Sequence, residues 1–249
     1  MVGDRPEHTE PTPRFVPVAD HALLVEFGDE IDETTSQAVL ALDRALAGAA
    51  IDGVAEIVPA YVNLLVDFDP TITDHAAVER AVRALVTAPA TLATTPNTRR
   101  VQVCYEPPFA PDLETVSEVC GLSVQATVDA HLAGDYRVAM YGFAPGCAYL
   151  AGVPETIRVP RKPAPIRGIA AGSVIIAGPQ CMVTTIETPT GWSIIGRSPT
   201  PILLDEPGRP FLFDVGDRVE FERIDLSTHE QLARAQRSDD TRAGGEDAP

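Results

Sequence analysis

The chain has 249 residues, of which 45% are hydrophobic and 22% charged, the composition of a soluble globular protein with a buried core. It carries 36 acidic against 19 basic residues, a formal net charge of −17, which argues against nucleic acid or an anionic membrane surface as a partner. The polar, proline-rich residues 1–13 lack the apolar segment of a signal peptide, and no run of ~20 apolar residues could cross a bilayer. We therefore expect a cytoplasmic protein.

The N-terminal part of the chain, residues 14–88, alternates between strand and helix patterns. A short apolar run ends at Gly28, and a helix with an apolar face follows Asp32. Alternating apolar residues up to Phe68 predict a further strand, and Asp74 is the predicted N-cap of a second helix. Strands interleaved with two helices predict a ferredoxin-like α/β sandwich domain, in which a small sheet carries helices on one face.

Residues 88–98 are low in charge and contain two prolines, which is the composition of a linker. Beyond it, short β segments separated by turns follow one another from Tyr136 onward, a pattern typical of a barrel or a sandwich. The sequence therefore predicts a second domain over 99–226 and an α+β chain overall. The remaining segments, 1–13 and 227–249, are expected to be flexible tails.

The run Gly-Phe-Ala-Pro-Gly-Cys-Ala-Tyr-Leu at 142–150 predicts a shaped loop. Glycine opens backbone conformations that other residues avoid, while proline removes a hydrogen-bond donor, so neither a plain helix nor a central strand fits. Such loops often carry ligand-binding residues when a rigid scaffold holds them, and often only turn the chain. Cys147 is a candidate nucleophile here, but the sequence places near it no histidine that could lower its pKa.

Basic side chains concentrate in one part of this acidic chain. Four fall within ten residues and a fifth follows later near the only tryptophan: Arg158, Arg161, Lys162, Arg167 and Arg197. One interpretation is a pocket for a carboxylate or phosphate, because arginine donates to such groups at two points. The other is a solvated turn whose cations pair with neighbouring acids.

Trp192 and Ser173 are each open to two interpretations as well. Trp192 could form the floor of a pocket or fill the core, and Ser173 could donate to a ligand or belong to a turn.

The known enzyme signatures are missing: the chain has no phosphate loop, dinucleotide fingerprint, zinc-protease histidine pair or nucleophile elbow. The cysteines are widely separated and expected to be reduced thiols. We assign no catalytic acid or base and predict no metal site.

Several motifs occur in a fixed order along most of the chain. They are the motifs at residues 20–28, 68–70, 136–138, 142–146, 149–150, 160–161, 171–174, 176–178, 180, 191–192, 196–197 and 216–219. In this order they resemble the family that contains the B subunit of bacterial 5-oxoprolinase, subunit 1 of allophanate hydrolase, the kinase-inhibitor proteins of spore formers and one lobe of the carboxyltransferase domain of urea carboxylase.

The resemblance implies a ferredoxin-like domain followed by a cyclophilin-like β-barrel, and a homologous second barrel subunit as partner. It implies an ATP-dependent complex of the 5-oxoprolinase type that converts 5-oxoproline to glutamate, with a third subunit that opens the lactam ring. ATP and Mg would act in the complex, no cofactor would be tightly bound, and the subunit would be inactive alone. The alternatives are an allophanate hydrolase subunit 1, the carboxyltransferase half of a urea carboxylase-like system, and a non-enzymatic kinase-inhibiting regulator.

The resemblance also implies a set of substrate-binding residues. Those that would wall the site are Phe143, Pro145, Gly146 and Tyr149; those that would hold anionic groups are Arg161, Lys162 and Arg197; those that would border the ligand are Ser173, Gln180 and Trp192. The chain departs from the family pattern at Cys147-Ala148, Pro165-Ile166, Cys181-Met182 and Thr190. These departures predict a pocket of altered shape and a displaced arginine at Arg167.

Overall fold

The computed structural model describes residues 12–87 and 96–243. The chain divides into two compact units, residues 1–95 and 96–249, each with a hydrophobic core of its own. The predicted linker at 88–98 and the predicted tail at 1–13 lie largely outside the described residues, and the predicted domain bounds stay predictions. Within the described ranges, no helix combines the length and the apolar character that a membrane span requires.

The N-terminal unit is an antiparallel sheet with two helices. Its elements are β1 (Arg14–Val18), β2 (Ala22–Glu26), α1 (Glu33–Ala49), β3 (Val54–Pro59), β4 (Asn63–Phe68) and α2 (His75–Val86). The sheet order is β1-β2-β4-β3. From β2 onward the elements follow the ferredoxin-like order βαββα, while the edge position beside β2 is taken by β1, which precedes it.

The helices of this unit begin where the sequence predicts them. The Asp32 carboxylate accepts a hydrogen bond from the Thr35 amide at 2.9 Å, and the Asp74 carboxylate accepts one from the Ala77 amide at 2.8 Å. Each bond satisfies one of the amides that the first turn of a helix leaves without a partner. The apolar face of α2, with Val78 fully buried, packs on the sheet.

The C-terminal unit is built around a closed barrel. Its elements are β5 (Thr98–Cys104), α3 (Leu113–Cys120), α4 (Val124–Leu132), β6 (Tyr136–Tyr141), β7 (Ala148–Ala151), a 3-10 turn (Glu155–Ile157), β8 (Ile166–Ile169), β9 (Ser173–Ala177), β10 (Gln180–Val183), β11 (Thr188–Thr190), β12 (Ser193–Arg197), β13 (Arg218–Ile224) and α5 (Leu226–Ala243). Seven strands close in the order β10-β7-β6-β13-β5-β12-β9, and β8 pairs with β11. The predicted α+β fold with a cyclophilin-like barrel is confirmed.

The barrel wall has a core on each side, because side chains alternate between the two faces of a strand. In β9, Val174 and Ile176 belong to the main core, to which all seven barrel strands contribute. Ile175 and Ala177 belong to a second, smaller cluster on the outer face, together with Trp192. This outer cluster forms the base of the candidate site.

Three sequence predictions are wrong in detail. Residues 227–243, predicted as a flexible tail, belong to α5: the Asp225 carboxylate accepts from the Thr228 amide at 2.7 Å, and His229 packs on Phe109 with ring centroids 4.2 Å apart. The predicted loop at 142–150 ends early, because its last three residues form the start of β7. Over residues 202–213, within the stretch predicted as successive short β segments, the structure has one isolated bridge, between Leu203 and Phe211.

Candidate functional site

A pocket of about 170 Å³ lies against the outer face of the barrel wall. Its base is the outer cluster, with Ile175 from β9, Met182 from β10, Tyr149 from β7 and Trp192 from the turn before β12. The loop that carries Phe143 and the segment between β10 and β12 form its sides. The site is thus a surface concavity supported by rigid strands, an arrangement that holds a small ligand in a fixed orientation.

Aromatic rings and one cation define one end of the pocket. The rings of Tyr149 and Trp192 meet edge to face with centroids 5.7 Å apart. The guanidinium carbon of Arg161 stands 5.5 Å from the centroid of the Trp192 ring, within the range of a cation–π interaction. Trp192 is nearly buried and Arg161 is exposed, so the guanidinium covers the indole from the solvent side. Trp192 therefore both fills the outer cluster and forms the pocket floor.

Four threonines also line the pocket: Thr184, Thr185, Thr188 and Thr190. Most of their hydroxyls are already engaged: that of Thr184 donates to the Ala170 carbonyl at 2.9 Å, and that of Thr185 to the Pro145 carbonyl at 2.8 Å. Sequence reasoning missed this wall, because a run of β-branched residues predicts strand rather than site. The available signal was the density of threonine between Thr184 and Trp192.

Of the five basic residues that one interpretation places in a pocket for an anion, only Arg161 lines this pocket. The Lys162 ammonium lies 2.5 Å from an Asp112 carboxylate oxygen. The Arg158 guanidinium donates to the Val153 carbonyl at 2.9 Å, and Arg167 is exposed outside the pocket. Lys162 and Arg158 are thus engaged in contacts within the protein.

Arg197 is separated from the pocket by the length of β12. Its guanidinium carbon lies 5.4 Å from the Phe109 ring centroid, and burial lowers the pKa of the guanidinium from its ordinary value. Strands rise about 3.3 Å per residue, so five steps from Trp192 carry the backbone roughly 15 Å away. Arg197 therefore does not share the pocket lining with Arg161.

Of the other predicted site residues, Phe143, Tyr149 and Trp192 line the pocket, and the rest do not. Gly146 has a φ of +67°, and a side chain there would collide with Leu203, so it is required by the turn. The buried Ser173 hydroxyl donates to the Ala170 carbonyl at 2.8 Å. Pro145 is exposed, and Gln180 begins β10 at the far end from the pocket. Their assignment as substrate-binding residues stays a prediction.

Cys147 does line the pocket, but as a packing residue. Its sulfur lies 3.0 Å from the Met182 sulfur, and burial raises the pKa of its thiol. A nucleophilic cysteine requires the opposite shift, from a nearby base or cation. In the part of the chain that the structure describes, no group of three or more His, Cys, Asp or Glu residues is arranged to hold a metal ion.

A family model for the carboxyltransferase domain, subdomain C and D, matches residues 13–213. The chain belongs to this carboxyltransferase-domain family. The family membership that the ordered motifs indicate is therefore confirmed. The family match covers both structural units and ends shortly before β13.

Within the family, the chain is 35% identical over 218 residues to the 5-oxoprolinase B subunit of Bacillus subtilis, covering 83% of this chain and 91% of that protein. It is similar to the crystal structure of TTHA0988, with a TM-score of 0.72 and 32% identity over 83% of this chain. The chain spans only 40% of that structure's chain. The urea amidolyase of Kluyveromyces lactis has a TM-score of 0.73 at 16% identity, over 94% of this chain and 16% of that one, which shows a shared fold alone.

Proposed function

We propose that this chain is the B subunit of an ATP-dependent 5-oxoprolinase complex and that its pocket binds 5-oxoproline. The observation that carries the proposal is the similarity to the B subunit of 5-oxoprolinase, which extends over 91% of that relative. The allophanate and kinase-inhibitor alternatives have no comparable observation in their favour. The urea amidolyase similarity concerns the fold and does not favour a second function.

The size and lining of the pocket support a small cyclic amide with one carboxylate. At about 170 Å³ the pocket is smaller than the sites of roughly 300–1,000 Å³ that hold drug-sized ligands, so it suits a small molecule. Tyr149, Ile175 and Trp192 offer an apolar and aromatic floor to a flat ring. Arg161 stands at the edge of this floor and is suited to a carboxylate, to which arginine donates at two points.

The same pocket does not fit a magnesium nucleotide. A triphosphate needs several cations or a cradle of amides, whereas this pocket is lined by one cation, and at least two of its threonine hydroxyls already donate within the protein. Its lining contains no carboxylate that could hold the metal. We propose that ATP and Mg act in the complex, held by residues outside this pocket.

The pocket also lacks a group suited to proton transfer. Its titratable lining residues are Arg161, Tyr149 and Cys147, and burial raises the pKa of the Cys147 thiol. A general acid or base works best with a pKa near the working pH. We therefore propose that the chain binds and orients the substrate, that a homologous barrel subunit completes the site, and that a third subunit opens the lactam ring.

Reconstitution tests this function. The chain is mixed with the homologous barrel subunit and the ring-opening subunit, and glutamate released from 5-oxoproline is measured with and without ATP. We expect release only when all subunits and ATP are present, and none from the isolated chain. The proposal is rejected if no ratio of subunits releases glutamate. Ammonia release from allophanate by the same mixture would favour the allophanate alternative instead.

The pocket rim offers a surface for the partner subunit. Phe143 is 81% exposed at the rim, and Tyr141 and Leu203 are exposed as well. Exposed apolar groups beside a functional pocket are typical of protein interfaces, where aromatic residues contribute most of the affinity. We expect Phe143→Ser to weaken binding of the barrel partner at least about tenfold, or about 1.4 kcal/mol.

The measurement is a titration of immobilised chain with the barrel partner. Val119→Ser is the matched control, because Val119 is 65% exposed on α3 and does not line the pocket. The control should retain the wild-type affinity. If Phe143→Ser binds the partner as tightly as Val119→Ser does, the rim around Phe143 is not the interface.

A further inference from the structure

Lys162 is anchored at two points on different elements. Its backbone amide donates to the Gly191 carbonyl at 2.6 Å, and its ammonium lies 2.5 Å from an Asp112 carboxylate oxygen. The same oxygen accepts a hydrogen bond from the Ile194 amide at 2.7 Å, and the Asp112 amide donates to the Ile194 carbonyl at 3.0 Å. Asp112 thus joins Lys162 to the start of β12, directly after Trp192.

The charge of Lys162 is committed to this contact. The side chains of Lys162 and Asp112 are only 20% and 19% exposed, so water screens the pair much less than it screens a surface ion pair. An ammonium held in this way is not available to a ligand. Lys162 also does not line the pocket, although the resemblance implies that it holds an anionic group.

The preceding residue, Arg161, is in the opposite situation. Its guanidinium is exposed, lies over the Trp192 ring and has no carboxylate partner among the described residues. A free arginine side chain loses rotamer entropy when a ligand immobilises it. Fixing the backbone at Lys162 holds the adjacent backbone of Arg161 beside Trp192, so binding does not also have to order this segment of the chain.

We propose that Asp112 and Lys162 form a clamp that positions Arg161 over Trp192 for binding of a substrate carboxylate. Lys162 is then a positioning residue and does not touch the substrate. The identity of the carboxylate rests on the proposed function, whereas the clamp itself follows from the contacts of Asp112, Lys162 and Gly191. Two measurements separate these parts, and both use Trp192, the only tryptophan of the chain, as a fluorescent reporter.

The first measurement is a fluorescence titration with 5-oxoproline. We expect Lys162→Met, which keeps the aliphatic stem, to raise the Kd about tenfold, and Lys162→Arg to recover most of the loss. Arg167→Met is the matched control, since Arg167 is an exposed cation of the same segment outside the pocket. It should leave the Kd unchanged.

A double-mutant cycle distinguishes positioning from direct contact. In an Arg161→Gln background, Lys162→Met should cause no further loss, because there is no guanidinium left to position. An additive tenfold loss would show that Lys162 contacts the carboxylate itself, and would overturn the clamp. Equal thermal unfolding of the variants shows that the comparison is made on folded protein.

The second measurement needs no ligand. Releasing the clamp uncovers Trp192, so Lys162→Met and Asp112→Asn should shift its emission to longer wavelength and increase quenching by acrylamide, while Arg167→Met should do neither. Unchanged emission and quenching in both clamp variants would overturn the clamp. If they change as expected but the wild-type chain and its reconstituted complex do not bind 5-oxoproline, the proposed function fails and the clamp stands.

Discussion

Arg161→Gln is expected to lower the affinity of the chain for 5-oxoproline about thirtyfold, which corresponds to about 2 kcal/mol. Arg161 is the one cation of the pocket lining, and it lies over the aromatic floor where the ring of the ligand would rest. A hydrogen bond to a charged group contributes about 1.5–3 kcal/mol, so the loss of both guanidinium donors accounts for this size. The Kd is measured by Trp192 fluorescence and by calorimetry.

Two companion variants make the result specific to Arg161. Arg161→Lys keeps the charge but not the two-point geometry. Its loss of binding free energy is expected to be about half of the loss caused by Arg161→Gln. Arg158→Gln removes a cation that donates to the Val153 carbonyl and should leave the Kd unchanged. The assignment of the pocket is wrong if Arg161→Gln binds 5-oxoproline like the wild-type chain.

Salt gives an independent check on the same contact. Because Arg161 is exposed, dissolved salt screens its attraction to a carboxylate. The Debye length falls from about 30 to about 8 Å as ionic strength rises from about 0.01 to about 0.15 M. Over this range the Kd of the wild-type chain should rise. The Arg161→Gln variant should lose most of this dependence. A slope that is equal in both proteins would place the responsible cation elsewhere.

The local patterns of the sequence were sufficient for most of the fold. Asp74 caps its helix as predicted, and the alternation that ends at Phe68 is a strand. Composition did not predict helix α5, because two contacts stabilise it. Asp225 caps the helix, and one buried residue, His229, packs it against Phe109. Neither contact is visible from the abundance of Asp, Arg, Gly and Ser in that segment.

The site was predicted less well, because nearness in sequence is a poor guide to which side chains share a ligand. Arg161 and Lys162 are adjacent, yet their side chains meet different partners, Trp192 and Asp112 respectively. Asp112 is 50 residues away in sequence and no motif links it to the basic cluster. The motifs thus indicated the right region of the barrel. The role of each cation can be assigned only from the residues that contact it in the structure.

The acid stability of the barrel unit is expected to depend on His131, which lies in the main core region. Its ring is completely buried, its Nδ1 is 2.8 Å from the Tyr105 hydroxyl, and its Nε2 is 3.7 Å from the Cys181 sulfur. Burial lowers the pKa of His131 from 6.5 to about 3. Between these two values the unfolded chain binds a proton that the folded chain excludes, so falling pH favours unfolding.

The expected result is a free energy of unfolding that falls by about 1.4 kcal/mol for each pH unit below 6.5 because of this residue alone, down to about pH 3. Above pH 6.5 its contribution is constant. Urea unfolding followed by Trp192 fluorescence reports on the barrel unit. His131→Gln should unfold more easily at neutral pH but with a flatter acid dependence. Tyr105→Phe, which removes the hydrogen bond and leaves the imidazole buried, should keep the wild-type slope, and equal slopes in all three proteins would contradict the prediction.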